Sequence, residues 1–549
     1  MLPCLIYEDE HLLVVNKPAG LNTHAPSPYA GEGLYEWLRE RESRWSNLAI
    51  MQRLDKETSG IIVFSKTLLA NRSLTEQFRT RAISKKYVLL TDRAVSKSEM
   101  TVRSRIARAG EKYIGRPLSG DGEPAETRFK VCSGWDSESG CTMLEAEPVT
   151  GRTHQIRVHA AENGFPILGD TLYGGTPAAR VHLHATEIAF EHPSSGKRLQ
   201  LRARVEFETD PRLAYRLALV EPKGCTAYRV IHGASDGWPG WYVDRFGAFL
   251  LSESSASLTS GQLQQLSRLM LDYGALGAYH KIVARRKATA GTSDNSPKLL
   301  LGKAAPERFT ITENGLEFEI SFVHGSSIGL FLDQRDNRRR LLTGHIGTGF
   351  ELMQRRQPAE AEPDTSGNTQ RGLHVLNMFS YTCGLSVCAA KAGAHTVNVD
   401  LSNKYLEWGR RNFQLNQLEP AEHEFLTGES FDWLRRLRKR DRYFDVILLD
   451  PPTFSQSKRS GAFRAEKDFG RLVAASLTLL RSGGVLFASS NAATWPAEDF
   501  LETVEQQATA AGSKVTQKHY FPQPPDFPVA RLEPAYLKTV WWRIEKENT

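Results

Sequence analysis

The sequence has few of the features that mark secreted, zinc-stabilised or membrane-spanning proteins. Its six cysteines are scattered and form no CxxC pair, which argues against a disulfide framework and against a structural zinc site. No apolar run approaches the roughly 18 residues needed to cross a bilayer. The opening MLPCLIYEDEHLL has acids where a signal peptide has lysines. We therefore expect a cytoplasmic protein with no metal and no membrane partner.

Length and charge narrow the class further. At 549 residues the chain is too long for one ordinary domain, because domains hold about 100–200 residues each. Its 40% hydrophobic and 24% charged residues are typical of a globular protein. The net charge of +7 permits a polyanionic partner without requiring one. Basic runs such as RRLRKRDR at 435–442 suit either an RNA surface or a solvated helix face.

The pattern of apolar and turn residues changes twice along the chain and predicts three domains. Residues 1–218 contain short β-type runs such as LLVVNK and KKYVLL between glycine and proline turns, which favours a mainly antiparallel α+β domain. Residues 219–345 indicate a small α+β adaptor, to which we assign additional RNA affinity. Residues 346–549 alternate apolar strands with helices, which predicts an α/β Rossmann-like domain with a parallel, doubly wound sheet.

Polar residues in the last domain follow three predicted strands. In a doubly wound sheet, ligands bind beyond the carboxyl ends of the strands. A tight turn after the first strand suits a nucleoside cofactor, and Asp400 after the second can accept both hydroxyls of a ribose. After the fourth strand, Pro451 and Pro452 remove backbone donors, and Phe454 can stack on a planar substrate. The turn contains Phe379, Ser380, Tyr381, Thr382, Cys383 and Gly384.

Other interpretations of these residues exist. A strand, a glycine-containing turn and an acid after the next strand also suit NAD, but the GxGxxG cradle for a diphosphate is missing. Asp400 could cap a helix, and Pro451-Pro452 could simply end a strand. Their combination at successive strand ends favours a cofactor without a diphosphate.

The motifs NMFSYTCG, VNVDLSNKYLEWGRRN and LLDPPTFSQSK resemble the 23S ribosomal RNA methyltransferases of the RlmI and RlmK kind. The similarity runs from about residue 225 to the end and includes GLFLDQRDNRRR at 329–340. It implies S-adenosylmethionine as cofactor, held by the 379–384 turn, with Asp400 on the ribose and Glu429 near the adenine. It also implies that Asp450 contacts the cofactor and, with the following Pro-Pro-Thr-Phe, forms the pocket for the target base. Glu429 stands where the family usually has aspartate, and Cys383 where it often has glycine.

The atom that is methylated depends on whether a thiol is available. Methylation at carbon 5 of a pyrimidine requires covalent attack by a thiolate. RlmI-like enzymes carry a cysteine just after the fifth strand, but here residues 487–491 read FASSN. Cys383 and Cys388 lie in the cofactor turn and the next helix, on the wrong side for this role. The sequence therefore favours methylation of a purine ring nitrogen such as guanine N7, with cytosine C5 as the alternative.

Five motifs in the first 200 residues resemble the RluA-type RNA pseudouridine synthases. They are LLVVNKPAGL (12–21), QRLDKETSG (52–60), KKYVLL (85–90), TGRTHQIRVH (150–159) and VHLHATEIAFEHP (181–193). Taken alone, Asp55 between Leu and Lys would be an ordinary surface carboxylate.

The resemblance gives roles to residues in these motifs. Asp55 is the catalytic carboxylate, Arg157 is its cationic partner, and Tyr87 is the ring that stacks on the flipped uridine. Arg53 is a candidate to fill the space left by that base. Gln52 replaces the family's usual histidine and is a further candidate for RNA contact. This synthase requires no cofactor.

Together the resemblances imply a bifunctional RNA-modification enzyme. Its partner would be 23S ribosomal RNA or a ribosome assembly intermediate. Two alternatives remain: one head is active while the other only binds RNA, or the whole chain is an RNA chaperone.

Overall fold

The computed structural model of the protein describes residues 2–27, 29, 33–136, 140–283, 296–325, 327–352, 372–457 and 461–546. The chain divides into two compact units. The first lies within residues 1–221, and the second comprises 222–549 with two short pieces from 27–31 and 40–43. Within the described ranges, no helix is long and apolar enough to cross a membrane. A boundary at 345, between adaptor and methyltransferase, stays a prediction.

The first unit is built on one sheet of eleven strands. Its strands are β1 (Leu5–Glu8), β2 (Leu12–Lys17), β3 (Ala49–Ile50), β4 (Ser59–Ser65), β5 (Ser84–Thr91), β6 (Glu99–Ala109), β7 (Lys112–Arg116), β8 (Glu123–Asp136), β9 (Cys141–Pro148), β10 (Leu183–Glu191) and β11 (Arg198–Arg202). Its helices are α1 (Leu34–Arg41), α2 (Leu68–Arg79), α3 (Gln155–Glu162) and α4 (Pro211–Leu219).

The order of the main path is β1-β2-β4-β10-β5-β9-β8-β6-β7. Every pairing of these strands is antiparallel except that of β4 with β10, which confirms the mainly antiparallel α+β prediction. β4 is buried along its whole length, as its run IIVF predicts, whereas the outer strand β6 alternates in burial. The loop before β4 and the helix α3 supply the residues of the first site.

The first half of the second unit holds the adaptor and the strands that follow it. They are β12 (Ala227–His232), β13 (Trp241–Phe246), β14 (Phe249–Ser254), β15 (Gly277–Ile282), β16 (Lys298–Gly302), β17 (Phe309–Glu313), β18 (Leu316–Ile320), β19 (His345–Gly347) and β20 (Phe350–Glu351). The helices are α5 (Ser260–Asp272) and α6 (Arg335–Thr343). Buried bidentate ion pairs hold α6: Arg335 with Asp526, and Arg338 with Glu313. These pairs fix the start of α6, which matters for the second site.

The remaining elements form a seven-stranded sheet with helices. The strands are β21 (His374–Met378), β22 (His395–Asp400), β23 (Glu424–Thr427), β24 (Phe444–Leu449), β27 (Leu480–Ser490), β28 (Ser513–Phe521) and β29 (Lys538–Lys546), with a separate hairpin of β25 (Phe454–Ser457) and β26 (Gly461–Arg464). The helices are α7 (Gly384–Lys391), α8 (Asn403–Leu415), α9 (Ser430–Lys439), α10 (Ala465–Leu477) and α11 (Ala497–Ala510).

The sheet order is β23-β22-β21-β24-β27-β29-β28. Strands β21 to β24 and β27 are parallel, which confirms the α/β Rossmann-like class. One strand differs from the parallel expectation: β29 runs antiparallel to both of its neighbours, β27 and β28, which therefore share one direction. The run KTVWWRI predicts a buried strand, but hydrophobicity does not encode the direction in which it runs. The order changes direction between β21 and β24, which places a ligand site at their carboxyl ends.

Candidate active sites

The loop that carries Asp55 in the first unit lies between β3 and β4. Asp55 sits in a turn closed by a hydrogen bond from Thr58 N to Asp55 O of 3.2 Å, and its side chain is 24% exposed. Arg157 on α3 is buried, and its NH1 lies 3.4 Å from Asp55 Oδ2. The fold thus brings together the two residues that the sequence comparison paired. An accessible carboxylate held beside a buried cation is positioned to act on a substrate.

The stronger partner of Arg157 is Asp170, which the sequence analysis did not single out. Arg157 Nε and NH2 donate to the two carboxylate oxygens of Asp170 at 2.7 and 2.8 Å. Burial opposes the charge on Arg157, but hydrogen bonding to Asp170 and the charges of Asp170 and Asp55 raise its pKa. The bidentate pair therefore fixes the guanidinium of Arg157. The NH1 group of Arg157, which Asp170 does not contact, faces Asp55. The only sequence feature that pointed to Asp170 was its place in the polar ILGDTLYGG turn after α3.

Tyr87 and His154 complete the surroundings of Asp55. Burial, and then the charge of Asp55, raise the pKa of Tyr87, so it stays a neutral phenol. His154 has a φ of 55°, which is unusual for a residue with a side chain. Its Nδ1 lies 2.7 Å from Tyr173 Oη and its Nε2 lies 3.9 Å from Asp55 Oδ1. Because Tyr113 N donates to Tyr173 Oη, the phenol can donate to Nδ1 and leave a proton on Nε2 facing Asp55.

Lys17, in the LLVVNKPAGL motif, holds the loop that carries Asp55. It is fully buried, and its Nζ donates to the carbonyls of Pro18, Leu21 and Lys56. Burial lowers the pKa of Lys17 to about 7. Since Lys56 follows Asp55 directly, this contact restrains the backbone next to the carboxylate.

Two residues proposed for RNA contact lie on the same loop. Arg53 is exposed, as a residue that meets RNA must be. Gln52 is half-buried, and its Nε2 donates to Ile61 O at 3.1 Å. The amide of Gln52 therefore ties the loop to β4, and an RNA contact by Gln52 stays a prediction.

A cavity of about 1380 Å³ opens at the carboxyl ends of β21, β22 and β24. Residues from every predicted part of the second site line it, including Phe379, Tyr381, Asp400, Glu429, Asp450, Pro451 and Pro452. Three further predicted residues, Ser380, Thr382 and Gly384, are buried and do not line the cavity. A Cβ at Gly384 would lie 2.9 Å from Leu330 Cδ1 and 3.4 Å from Arg338 Cδ on α6. The small size of Gly384 thus serves packing.

The turn after β21 has a strained backbone. Phe379, Tyr381 and Cys383 have φ values of 60°, 49° and 62°, which cost of order 1–3 kcal/mol each for residues other than glycine. Asp400 holds the turn, because its Oδ2 accepts from Tyr381 N at 2.8 Å and its Oδ1 accepts from Ser402 N at 2.8 Å. Burial raises the pKa of Asp400. Each carboxylate oxygen retains a second lone pair that a ribose hydroxyl can use.

Glu429 is the N-cap of α9. Its Oε2 accepts from Phe431 N at 3.1 Å and Asp432 N at 3.3 Å, while the side chain also lines the cavity. An acid of either length can cap a helix in this way. The cap therefore explains how glutamate can occupy a position where aspartate is usual in the resembled family.

Asp450 is the most perturbed acid of the cavity. Burial, and then the charge of Asp333, raise its pKa to about 7, while hydrogen bonds from Ser489 and Gln334 act in the opposite direction. Gln334 Nε2 lies 3.2 Å from Asp450 Oδ1 and 2.8 Å from Ser489 Oγ. At neutral pH this acid is therefore close to half-ionised.

A chain of buried donors fixes the orientation of Gln334. The indole N–H of Trp541 can only donate, and it donates to Asn337 Oδ1 at 3.0 Å. The amide nitrogen of Asn337 must then face Gln334 Oε1, at 2.7 Å. The amide nitrogen of Gln334 is consequently the end that faces Asp450.

The sequence analysis also missed Asp333 and Phe331, which precede α6 and line the cavity. Tyr536 Oη donates to Asp333 Oδ2 at 2.9 Å, and burial raises the pKa of Asp333. Phe331 is 57% exposed, and its ring lies 5.2 Å from that of Tyr381. Phe454, predicted to stack on the base, is largely exposed at the start of β25 and is not among the described residues that line the cavity. Its role stays a prediction.

Comparison with known proteins relates both sites to RNA modification. Residues 11–162 match the family of RNA pseudouridylate synthases, and residues 366–543 match the S-adenosylmethionine-dependent methyltransferases. The chain is 31% identical over 347 residues to the ribosomal RNA large subunit methyltransferase of Deinococcus radiodurans, covering 61% of this chain and 78% of the relative. It is 33% identical over 333 residues to the ribosomal RNA large subunit methyltransferase I of Escherichia coli O1:K1, covering 59% and 76%.

A solved structure extends this likeness to the fold. The methyltransferase SMU.776, complexed with SAH, is 25% identical, with a TM-score of 0.50 over 71% of this chain and 98% of that chain. SAH is what S-adenosylmethionine becomes after it donates its methyl group, so the cofactor of the second site is S-adenosylmethionine. The chain therefore belongs to the ribosomal RNA large subunit methyltransferases and carries, ahead of their methyltransferase domain, an RNA pseudouridylate synthase domain, which makes it a bifunctional RNA-modification enzyme.

Proposed function

We propose that the methyltransferase head methylates a purine ring nitrogen, guanine N7, in large-subunit (23S) ribosomal RNA, and that the synthase head converts a uridine of the same RNA to pseudouridine. The names of the curated relatives support the choice of ribosomal RNA. We further propose that the substrate is an incompletely assembled ribosomal particle, because a base must leave its stack to enter either site.

The observation that carries nitrogen methylation is the absence of a usable thiol. The segment after β27 reads Ser489-Ser490-Asn491, and Ser489 is committed to Gln334. Cys383 and Cys388 are fully buried, and burial raises the pKa of both thiols well above its ordinary value. Without a thiolate, carbon 5 of cytosine has no activating nucleophile. A ring nitrogen already has a lone pair and requires only positioning.

The acids of the cavity suit this chemistry. S-adenosylmethionine supplies a methyl group from a positively charged sulfonium, and a guanine methylated at N7 carries that positive charge away. The carboxylates of Asp333 and Asp450 stabilise a cationic base electrostatically. Asp400 would hold the ribose of the cofactor and Glu429 its adenosine end, while Phe331 and Phe379 shield the pocket from water.

At the synthase head, Asp55 attacks the ribose or assists departure of the base, and Arg157 is its cationic partner. Tyr87 packs against the detached base while it turns. These roles are those that the accessible position of Asp55 and the bidentate anchoring of Arg157 support best.

The decisive experiment uses ribosomal RNA from cells that lack this gene. The purified chain is incubated with that RNA and methyl-labelled cofactor, and nucleosides are separated by chromatography with mass detection. We expect labelled 7-methylguanosine and one new pseudouridine. Labelled 5-methylcytidine would overturn the nitrogen assignment, and a new methyl mark without pseudouridine would show that the synthase head acts on another RNA or only binds. Repeating the assay on mature large subunits and protein-free RNA tests the assembly stage.

A further inference from the structure

Arg180 stands out among the cations of the synthase head. Its NH2 donates to Ser59 Oγ at 2.5 Å, its Nε donates to Val181 O at 3.3 Å, and its guanidinium lies 5.4 Å from the ring of Phe207. In the described part of the chain, no carboxylate forms an ion pair with Arg180. Its NH1 group likewise has no described hydrogen-bond partner, and it is not sealed from solvent.

This arrangement is costly unless an anion completes it. Burial lowers the pKa of Arg180 to about 10, because the charged form is partly desolvated without a compensating acid. Arg180 is half-buried, whereas Arg157 in the same unit is buried and has Asp170 as its partner. A structural arginine would be expected to have a similar partner.

The position of Arg180 is tied to the loop that carries Asp55. Ser59 begins β4, four residues after Asp55, and is paired in the sheet with His184. The next residue along β10, Ala185, is paired with both Gly60 and Tyr87. Arg180 therefore lies where the strands that carry the synthase residues meet.

A short hydrogen-bond chain holds the guanidinium in place. Ser59 Oγ accepts from Arg180, so its own proton is directed to His184 Nδ1 at 2.7 Å. His184 is 3% exposed, and burial lowers its pKa to about 4, so it is a neutral acceptor at physiological pH. The chain orients one edge of Arg180 inward and leaves the NH1 edge for a ligand.

We propose that Arg180 binds a phosphodiester group of the RNA beside the target uridine. The free edge of a guanidinium matches the oxygens of a phosphate in shape and charge. RNA is the substrate of this head, and each nucleotide that enters the site brings a phosphate with it. The contact would hold the backbone while the base is extruded, and Ser59 and His184 act as positioning residues.

The test combines a protein variant with a modified RNA. Short RNAs that the wild-type chain converts are made with one neutral methylphosphonate at each linkage around the target uridine. Pseudouridine formation is followed by release of tritium from carbon 5 of uridine. The variants are Arg180→Gln and Arg180→Lys, and the matched control is Arg202→Gln, whose exposed side chain pairs with Glu187 on the same sheet.

We expect one methylphosphonate to lower wild-type kcat/KM by about 10- to 100-fold, the loss expected for one hydrogen-bonded charge. The kcat/KM of Arg180→Gln on unmodified RNA should be lower than that of wild type by a similar factor. The methylphosphonate at that one linkage should then lower the kcat/KM of Arg180→Gln no further. Arg180→Lys should retain part of the activity as a point charge. Arg180→Gln should also reduce the slope of log affinity against log salt by about 0.7, the value for one single-strand phosphate.

For Arg202→Gln we expect each methylphosphonate to cause the same loss as in the wild-type chain. The same result at every linkage for Arg180→Gln would overturn the proposal and leave Arg180 a structural residue. Wild-type insensitivity to all the methylphosphonates would overturn it without any variant. Thermal unfolding of the same preparations reports whether the synthase unit of each variant is folded, since methyl transfer depends on the other unit.

Discussion

The two active sites use carboxylates in opposite electrostatic settings. In the synthase head, Asp55 and Asp170 both contact the guanidinium of Arg157. In the methyltransferase head, Asp333, Asp400 and Asp450 are held by amides, hydroxyls and backbone N–H groups, and no ion pair to them occurs in the described residues. Burial raises the pKa of all three.

We propose that this difference follows the charge of what each site binds. If Asp55 acts on a uridine that carries no positive charge, the protein itself supplies the cation beside that carboxylate, Arg157. The methyltransferase binds a cofactor that is itself a cation. We propose that its acids, which lack an ion-pair partner among the described residues, gain one when the cofactor binds.

The largest effect should come from removing the reagent carboxylate. Asp55→Asn should lower pseudouridine formation by at least about 10³-fold, since a nucleophile or its assistance is lost. Methyl transfer should be unchanged. Tritium release from uridine and label transfer from the cofactor measure the two activities on one preparation. Glu57→Gln is the matched control, because Glu57 also approaches Arg157, at 3.8 Å, but is more exposed. Equal losses in both variants would remove the special role of Asp55.

A smaller loss should follow removal of the ribose acceptor. Asp400→Ala should weaken binding of S-adenosylmethionine and SAH about 100-fold, because two hydrogen bonds to a charged group disappear. Asp400→Asn keeps one acceptor oxygen, so its affinity for both ligands should lie between those of wild type and Asp400→Ala. Titration calorimetry measures both ligands. Asp432→Ala changes an exposed acid of the same cavity and should leave affinity nearly unchanged. Unaltered affinity in Asp400→Ala would exclude Asp400 from the cofactor site.

The pH profile of methylation should respond to Gln334→Glu. If methylation requires ionised Asp450, the rate rises with pH through its pKa of about 7. A second nearby carboxylate favours the protonated form, raises that pKa, and should shift the rise to higher pH by about one unit. The rate at pH 7 should fall about fivefold and recover near pH 9. Gln414→Glu adds the same charge on the exposed face of α8 and should not move the profile. A uniform loss at all pH values would show that Gln334 only supports packing.

The smallest effect is one of stability. The folded-state pKa of Asp450 is raised from 3.8 to about 7, so the native state retains a proton that the unfolded chain has released. Its contribution to stability is therefore present near pH 4 and is lost as pH rises to 7. Asp450→Asn does not titrate, so it should be more stable than wild type by about 1–2 kcal/mol at pH 8 and little different at pH 4. Thermal unfolding measures this, and the transition that SAH shifts upward identifies the methyltransferase unit. Equal stabilisation at both pH values would contradict the assignment.

The sequence predicted the residues that strand ends bring together. Asp400 and Asp450 follow apolar strands of a parallel sheet, and carboxyl ends of parallel strands share one edge, so their proximity follows from the strand pattern alone. Asp333 and Gln334 could not be found in this way. They precede α6, which reaches the cavity only because buried pairs such as Arg335 with Asp526 hold it there. Those partners are 191 residues apart in the chain.

The synthase site divides in the same way. The motif around Asp55 and the motif around Arg157 were both visible, and the structure places them 3.4 Å apart. The bidentate partner Asp170 was not predicted, because a single aspartate in a turn carries no sign of which cation it meets. The antiparallel direction of β29 was likewise hidden, since a buried strand has the same composition in either direction.

The sequence by itself determined the two domain classes, the strand ends that carry the site residues, and the lack of a cysteine after β27. These are local properties, because periodicity, turn residues and composition act over a few positions. Only the tertiary structure decided which carboxylates are compensated, which amide end faces Asp450, and that Arg180 has no carboxylate partner among the described residues. Ionisation and hydrogen-bond direction depend on burial and on neighbours that are distant in the chain, so they exist only once the fold has formed.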